Sequence, residues 1–235
     1  LIDVYDGKVS MESFVASLDD TQLANLANGI SGASTSGDTW GADANSVTGA
    51  AGETSQLYFN SLGIPNTVEA DGPAGIRVTA ETTDKDGNAV YNYCTAFPIG
   101  TLLAQTWNTD LVNRVGKAIG EEMVEIGVTL WLAPGMNIHR DPLCGRNFEY
   151  YSEDPALTGY VGSAITAGVQ SNKGVGVTIK HYITNNQETN RSAVNTSVSE
   201  RTLREIYLKG FEMVVKSAQP MAIMSSYNKV NGTYA

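Results

Sequence analysis

The sequence predicts an α/β fold of right-handed βαβ units on a parallel sheet. Three observations predict it: short apolar runs recur along the chain, amphipathic helices separate them, and each run ends in polar residues. Strand, loop, helix, strand at this spacing marks a parallel sheet. Apolar runs that do not alternate point to strands covered on both faces.

Residues 1–65 read as a helical lead-in followed by a Gly/Ser-rich loop. Asp19 is placed to cap a helix, with Gln22 at the capping-box position and Leu18 and Leu23 as a hydrophobic staple. Leu23, Leu26 and Ala27 form one apolar face, and Gly29 ends the helix. The stretch SGASTSGDTWGADANSVTGAAGET suits a linker or a long loop, with Trp40 placed for packing or stacking. Residues 66–235 carry the alternating part. The run from Asn66 to Ala70 is a short strand leading into Asp71. Asn108 caps a helix through Leu111, Val112, Val115, Ile119 and Met123 that ends at Gly127. Val128 to Pro134 is a buried strand. Asp154 and Pro155 open the next helix, with proline at its first position. Val175, Val177 and Ile179 belong to a third strand that ends in Lys180 and His181. Ser199 caps a helix with Leu203, Ile206, Tyr207, Phe211 and Val214 on one face, and Met221 to Tyr227 is the fourth strand.

The chain has 235 residues and a net charge of −10. That length allows one large domain with a sizeable core. An acidic chain with no basic stripe repels phosphate backbones and anionic lipids, so neither nucleic acid nor membrane is an expected partner. Cys94 and Cys144 have no metal-type spacing and do not make a disulfide framework, so free thiols are expected, with no metal and no cofactor. The opening LIDVYDGKVS lacks a basic stretch followed by an apolar core, and no apolar run suffices to span a bilayer. The expectation therefore leans to the cytoplasm, and a start without Met suits a piece of something longer.

The strand ends carry the chemistry. After the first run comes DGPAGIR, with Asp71 and Arg77. After the second come His139, Arg140, Asp141, Arg146 and Glu149. After the third come Lys180, His181, Asn185, Asn186, Glu188 and Arg191, and after the fourth SYNKVNG. Each alone is a turn or a surface charge. At successive strand ends they point to one shared pocket, as at the C-terminal face of an α/β barrel. Asp71 accepts hydroxyl protons, while Arg146, Lys180, His181 and Arg191 donate. Charged hydrogen bonds to hydroxyls orient a ligand that is itself neutral, which suits a sugar. No Gly-rich phosphate loop is present. Two other readings remain: a Schiff-base lyase using Lys180, and a non-catalytic carbohydrate-binding fragment.

The motifs DGPAGIR, GRNFEYYSEDP, KHYITNNQETNR, SERTLREIYLKGFE and MSSYNKVNG resemble the barrel domain of glycoside hydrolase family 3, of the β-glucosidase type. The resemblance runs from about Asp71 to the last residue. It implies a (β/α)8 TIM-like barrel of which this chain holds about half the strands. It implies retaining hydrolysis of terminal non-reducing β-D-glucosyl or xylosyl residues, from a β-glucoside or oligosaccharide, through a carboxylate nucleophile and an acid/base carboxyl. Carried over by position, the −1 sugar-binding residues are Asp71, Arg77, Arg146, Lys180, His181, Arg191, Met224 and Tyr227. An unusual, cis peptide is expected at Lys180–His181. The loop KHYITNNQ lacks the second His of the hexosaminidase branch, which favours a glucosidase or xylosidase. The nucleophile Asp is expected just after Ala235 and the acid/base Glu on another domain. No catalytic residue is therefore expected within the chain, its partner is expected to be the remainder of the same enzyme, and the segment alone is expected to be inactive.

Overall fold

The structure, a computed structural model, describes residues 1–29, 46–54, 57–84 and 86–235. Trp40 and most of the Gly/Ser-rich loop lie outside the described residues.

Five short strands form the main sheet among the described residues: β1 (Gly52–Glu53), β2 (Val68–Ala70), β3 (Leu130–Trp131), β4 (Gly176–Tyr182) and β5 (Ala222–Ser225), in that spatial order. β1 runs antiparallel to β2, and every other neighbouring pair is parallel. The four expected strands are present, though the second hydrogen-bonds as a strand only at Leu130–Trp131. Beyond it single backbone bonds continue the pairing: Leu132 N–H donates to Ala70 O, Pro134 O accepts from Lys180 N–H, and Met136 N–H donates to Lys180 O. β1 was not expected, since two residues carry no periodicity to read.

Four helices are well formed around this sheet: α1 (Asp20–Asn28), α2 (Thr109–Ile126), α3 (Pro155–Gln170) and α4 (Lys209–Ala218). The Asp19–Gln22 capping box forms as expected, and Gly29 ends α1 at φ 70°. The expected apolar face of α1 is not buried among the described residues; Leu23 remains 38% exposed. Asn108 caps α2 by accepting from the Leu111 amide, and Gly127 ends it in the left-handed region. Asp154 caps α3 ahead of Pro155. The helix expected from Ser199 onward is not continuous. Ser199 caps one turn, Leu203–Tyr207 widens into a π-helix, and α4 follows. The wide turn re-phases the apolar stripe. Tyr207 joins Ile138 and Ile183 in a small cluster, while Phe211 and Val214 join the main core.

That core lies between helices and sheet. Ile119 and Met123 of α2, Val161 and Ile165 of α3, and Val214 of α4 pack with Val68, Ala70, Trp131, Val177 and Ile179. Gly116 and Gly168 let α2 and α3 approach closely: a Cβ at either would overlap a carbonyl of the other helix. Because successive side chains alternate across a strand, Glu69, Asp71, Leu132, Thr178, Lys180 and Met224 point to the opposite, concave face. A hairpin of Glu81–Thr83 and Ala89–Tyr91 follows β2. The sequence reading did not anticipate it; its turn is held by the Asp84 carboxylate, which accepts from the Asp86 and Asn88 amides. Cys94 and Cys144 are free. No helix among the described residues is long and apolar enough to cross a membrane.

Candidate active site

Asp71 stands where β2 ends. The turn after it needs glycine: Gly72 has φ 115°, and a Cβ there would overlap the Gly75 carbonyl. Trp131 pins the same turn from below, its Nε1–H donating to Gly72 O at 2.8 Å. Asp71 is thereby presented to two cations. Lys180 Nζ lies 2.9 Å from Oδ1 and Arg77 Nη2 lies 3.1 Å from Oδ2. Burial alone would raise the Asp71 carboxyl, but Lys180 and Arg77 outweigh it and hold it below the ordinary range. Lys180 is only 3% exposed, so its ammonium is fixed by the carboxylate rather than by water.

His181 follows through a cis peptide, as expected; Tyr182–Ile183 is cis as well. The amide of Asn137 brackets the His181 backbone, donating to its carbonyl and accepting from its N–H, both at 2.9 Å. That fixes which end of Asn137 is oxygen. Its Oδ1 also lies 3.1 Å from His181 Nδ1, so Nδ1 carries the proton and Nε2 is left as an acceptor, which corrects the donor role expected for His181 from the sequence. Burial, with Arg146, Lys180 and Arg191 nearby, pushes the imidazole down to about 2, so the ring is neutral.

This lowered value has a measurable consequence. Between pH about 2 and the ordinary value near 6.5, the unfolded chain binds a proton that folded His181 refuses. Stability from the neutral ring is fully present above that ordinary value and is lost as pH falls below it. We expect denaturant unfolding to show a loss of up to about 1.4 kcal/mol per pH unit from pH 6 to 4, and His181→Gln to flatten that slope. An unchanged slope in the variant would contradict the buried, neutral ring.

Arg146 and Arg191 complete the cleft, each tied to a carboxylate. Arg146 donates through Nε to Glu149 Oε1 and its guanidinium stands 5.9 Å over the Tyr150 ring, while its Nη groups have no hydrogen-bond partner among the described residues. Arg191 Nη1 lies 3.1 Å from Glu188 Oε2, and its guanidinium stands 5.3 Å over the Tyr227 ring. Asn185 Nδ2 links the two halves, donating to Tyr150 OH and to Glu188 Oε1, each at 3.1 Å.

Asp71, Lys180, His181, Arg146 and Arg191 line one open cleft of about 530 Å³, while Asn137, Glu149, Tyr150, Asn185 and Glu188 support it from behind its walls. Of the residues singled out in the sequence, Asp71, Arg146, Lys180, His181, Arg191, Met224 and Tyr227 all line it; Arg77 does not, and meets it only through Asp71. Other polar residues after the strands serve the loops. His139 Nε2 lies 2.8 Å from Asn147 O, Arg140 donates to the Tyr207 hydroxyl, and Asp141 accepts from the Leu143 amide. The sequence reading missed Glu69, Asn137 and Tyr150. Glu69 was signalled by its place two residues before Asp71 on one strand, which aims both at the same face. Its carboxyl is pushed up by burial and by Asp71. Asn137 and Tyr150 carry no such signal, because their partner His181 lies 44 and 31 residues away in sequence. Among the described residues no cluster of His, Cys, Asp and Glu could hold a metal ion. The cleft offers acceptors at Asp71 and His181 Nε2 beside donors at Lys180 and Arg146, the pairing that vicinal hydroxyls need.

Known proteins resemble this chain over most of its length. The family description "Glycosyl hydrolase family 3 N terminal domain" matches residues 52–235. Beta-glucosidase A of Butyrivibrio fibrisolvens is 44% identical over 231 residues, covering 98% of this chain and 25% of that protein. An exo-alpha-(1->6)-L-arabinopyranosidase of Bifidobacterium longum is 47% identical over 179 residues, covering 74% of this chain and 23% of that protein. Among solved structures, beta-glucosidase 3B of Thermotoga neapolitana in complex with glucose superposes with a TM-score of 0.84 at 51% identity, over 95% of this chain and 30% of that one. The chain thus spans about a quarter of the length of the curated relatives it matches.

Proposed function

Because the chain belongs to glycosyl hydrolase family 3, matching its N-terminal domain, we propose that it supplies the −1 sugar-binding half of a retaining β-glycosidase acting on terminal β-D-glucosyl or xylosyl residues. The carrying observation is the convergence of Asp71, Arg146, Lys180, His181 and Arg191 from separate strand ends on one cleft. In this reading Asp71 and His181 Nε2 accept protons from the sugar hydroxyls. Lys180 and the free Nη edge of Arg146 donate to the hydroxyl oxygens, and Tyr227 closes the side beside Arg191. Such contacts orient the ring and exclude water around it, so that a nucleophile meets the anomeric carbon in line. The nucleophilic Asp and the acid/base Glu of the retaining reaction come from elsewhere in a longer protein, in keeping with the quarter of the relatives' length spanned here. The concave sheet is then part of a (β/α)8 barrel, residues 1–65 its lead-in and 66–235 its sugar-binding strands.

A solved neighbour that holds glucose makes glucose the first ligand to test. Calorimetric titration of this chain is expected to show glucose binding that Asp71→Ala abolishes. A longer protein carrying this segment is expected to release nitrophenol from an aryl β-glucoside, and the segment alone is not. Turnover by the purified segment would overturn the placement of the reacting carboxylates outside it. A Schiff-base lyase is disfavoured, because Lys180 Nζ is engaged as a donor to Asp71 at 2.9 Å rather than presented as a free amine.

A further inference from the structure

Two carboxylates near the cleft hold no place in the sugar-binding scheme. Glu149 is 4% exposed and Glu188 27%. Each sits three residues from the arginine it pairs with, Glu149 after Arg146 and Glu188 before Arg191, and Asn185 and Tyr150 join the two pairs. Glu149 uses only one oxygen. Its Oε2 is buried and has no hydrogen-bond partner, and it lies so close to Gly135 that a Cβ there would stand 3.3 Å from it. Its charge is therefore only half answered by hydrogen bonds, in a setting where screening is weak. On the cleft side, the Nη groups of Arg146 make no hydrogen bond among the described residues and would by themselves attract an anion as well as a hydroxyl.

We propose that Glu149, with Glu188, is a specificity-determining residue that sets the cleft against anionic sugars, offsetting the arginine charges so that neutral pyranoses are held and uronates are rejected. The inference rests on reading the cleft as a sugar site. Neither carboxylate touches the ligand in this scheme; each acts through its arginine and through its field. Glu149 also fixes the guanidinium by its Nε edge, which keeps the Nη edge turned to the cleft. A glutamine in its place keeps an acceptor for Nε and removes the charge, so it separates the electrostatic role from the positioning one.

The test is calorimetric titration of this chain and of Glu149→Gln with two isosteric probes, glucose and D-glucuronate, which differ in charge at C6. The unmodified chain is expected to bind glucose at least about tenfold more tightly than glucuronate. In Glu149→Gln glucose weakens by a few-fold while glucuronate tightens by about tenfold, shifts of opposite sign. Weakening of both probes would overturn the proposal, because a purely structural residue behaves that way, and so would a variant that matches the unmodified chain. If the unmodified chain binds neither probe, the sugar-site reading itself fails and the proposal falls with it, a result distinct from the others. Should Glu149→Gln not fold by circular dichroism, Glu188→Gln, at a part-exposed position, must show the same opposite shifts or the proposal is wrong.

Discussion

Lys180→Ala is expected to weaken glucose binding at least about thirtyfold, since truncating one partner of a desolvated, hydrogen-bonded charge pair costs about 2–5 kcal/mol. Two effects add. The ligand loses a donor, and Asp71 keeps only the more exposed Arg77, so that a half-buried carboxylate is left under-paired. The Asp71 carboxyl should then move back up towards its ordinary range, because the Lys180 ammonium is the main influence holding it down against burial. Lys180→Arg should not restore affinity, because a planar guanidinium has a different shape and the site leaves its residue only 3% exposed. Titration calorimetry decides the matter. A loss under tenfold would show that the pair does not organise the cleft.

Trp131→Ala should be the most destabilising single change. Trp131 is fully buried between sheet and helices, and truncating such a side chain costs about 3–5 kcal/mol. For a chain of this length that lowers the midpoint of thermal unfolding by roughly 6–20 °C. Trp131→Phe separates its two roles. The ring still fills most of the space, but Gly72 O loses the donor it has at 2.8 Å, at a cost of about 1–3 kcal/mol. That variant should weaken sugar binding more than its stability loss suggests, because the freed carbonyl belongs to the turn that presents Asp71. If Trp131→Phe leaves affinity unchanged, the turn does not depend on the indole.

Much of the architecture was legible in the chain. The capped helices were readable because their signals are local: Asp19 with Gln22, Asn108, and Asp154 ahead of Pro155 each act within one turn. Asp71 and Lys180 were readable because each ends an apolar run, and Arg146 because it lies in the polar loop that follows one. The wide turn at Leu203–Tyr207 was not, since a stripe that changes phase looks continuous in a one-dimensional pattern. Nor were β1, two residues long, and the hairpin at Glu81–Tyr91, whose strands bury almost nothing.

By itself, then, the sequence determined the order of strands and helices, the helix caps and the set of polar side chains delivered to the strand ends. Those are consequences of alternation, periodicity and capping, which act over a few residues. Only the tertiary structure decided how those side chains were tuned. Lys180 reaches Asp71 across 109 residues of chain, and Asn137 sets the proton on His181 across 44. Burial leaves that ring neutral, and Glu149 fixes which edge of Arg146 stays free. Charge state and hydrogen-bond direction depend on what surrounds a group in space, and no local pattern in the chain encodes that neighbourhood.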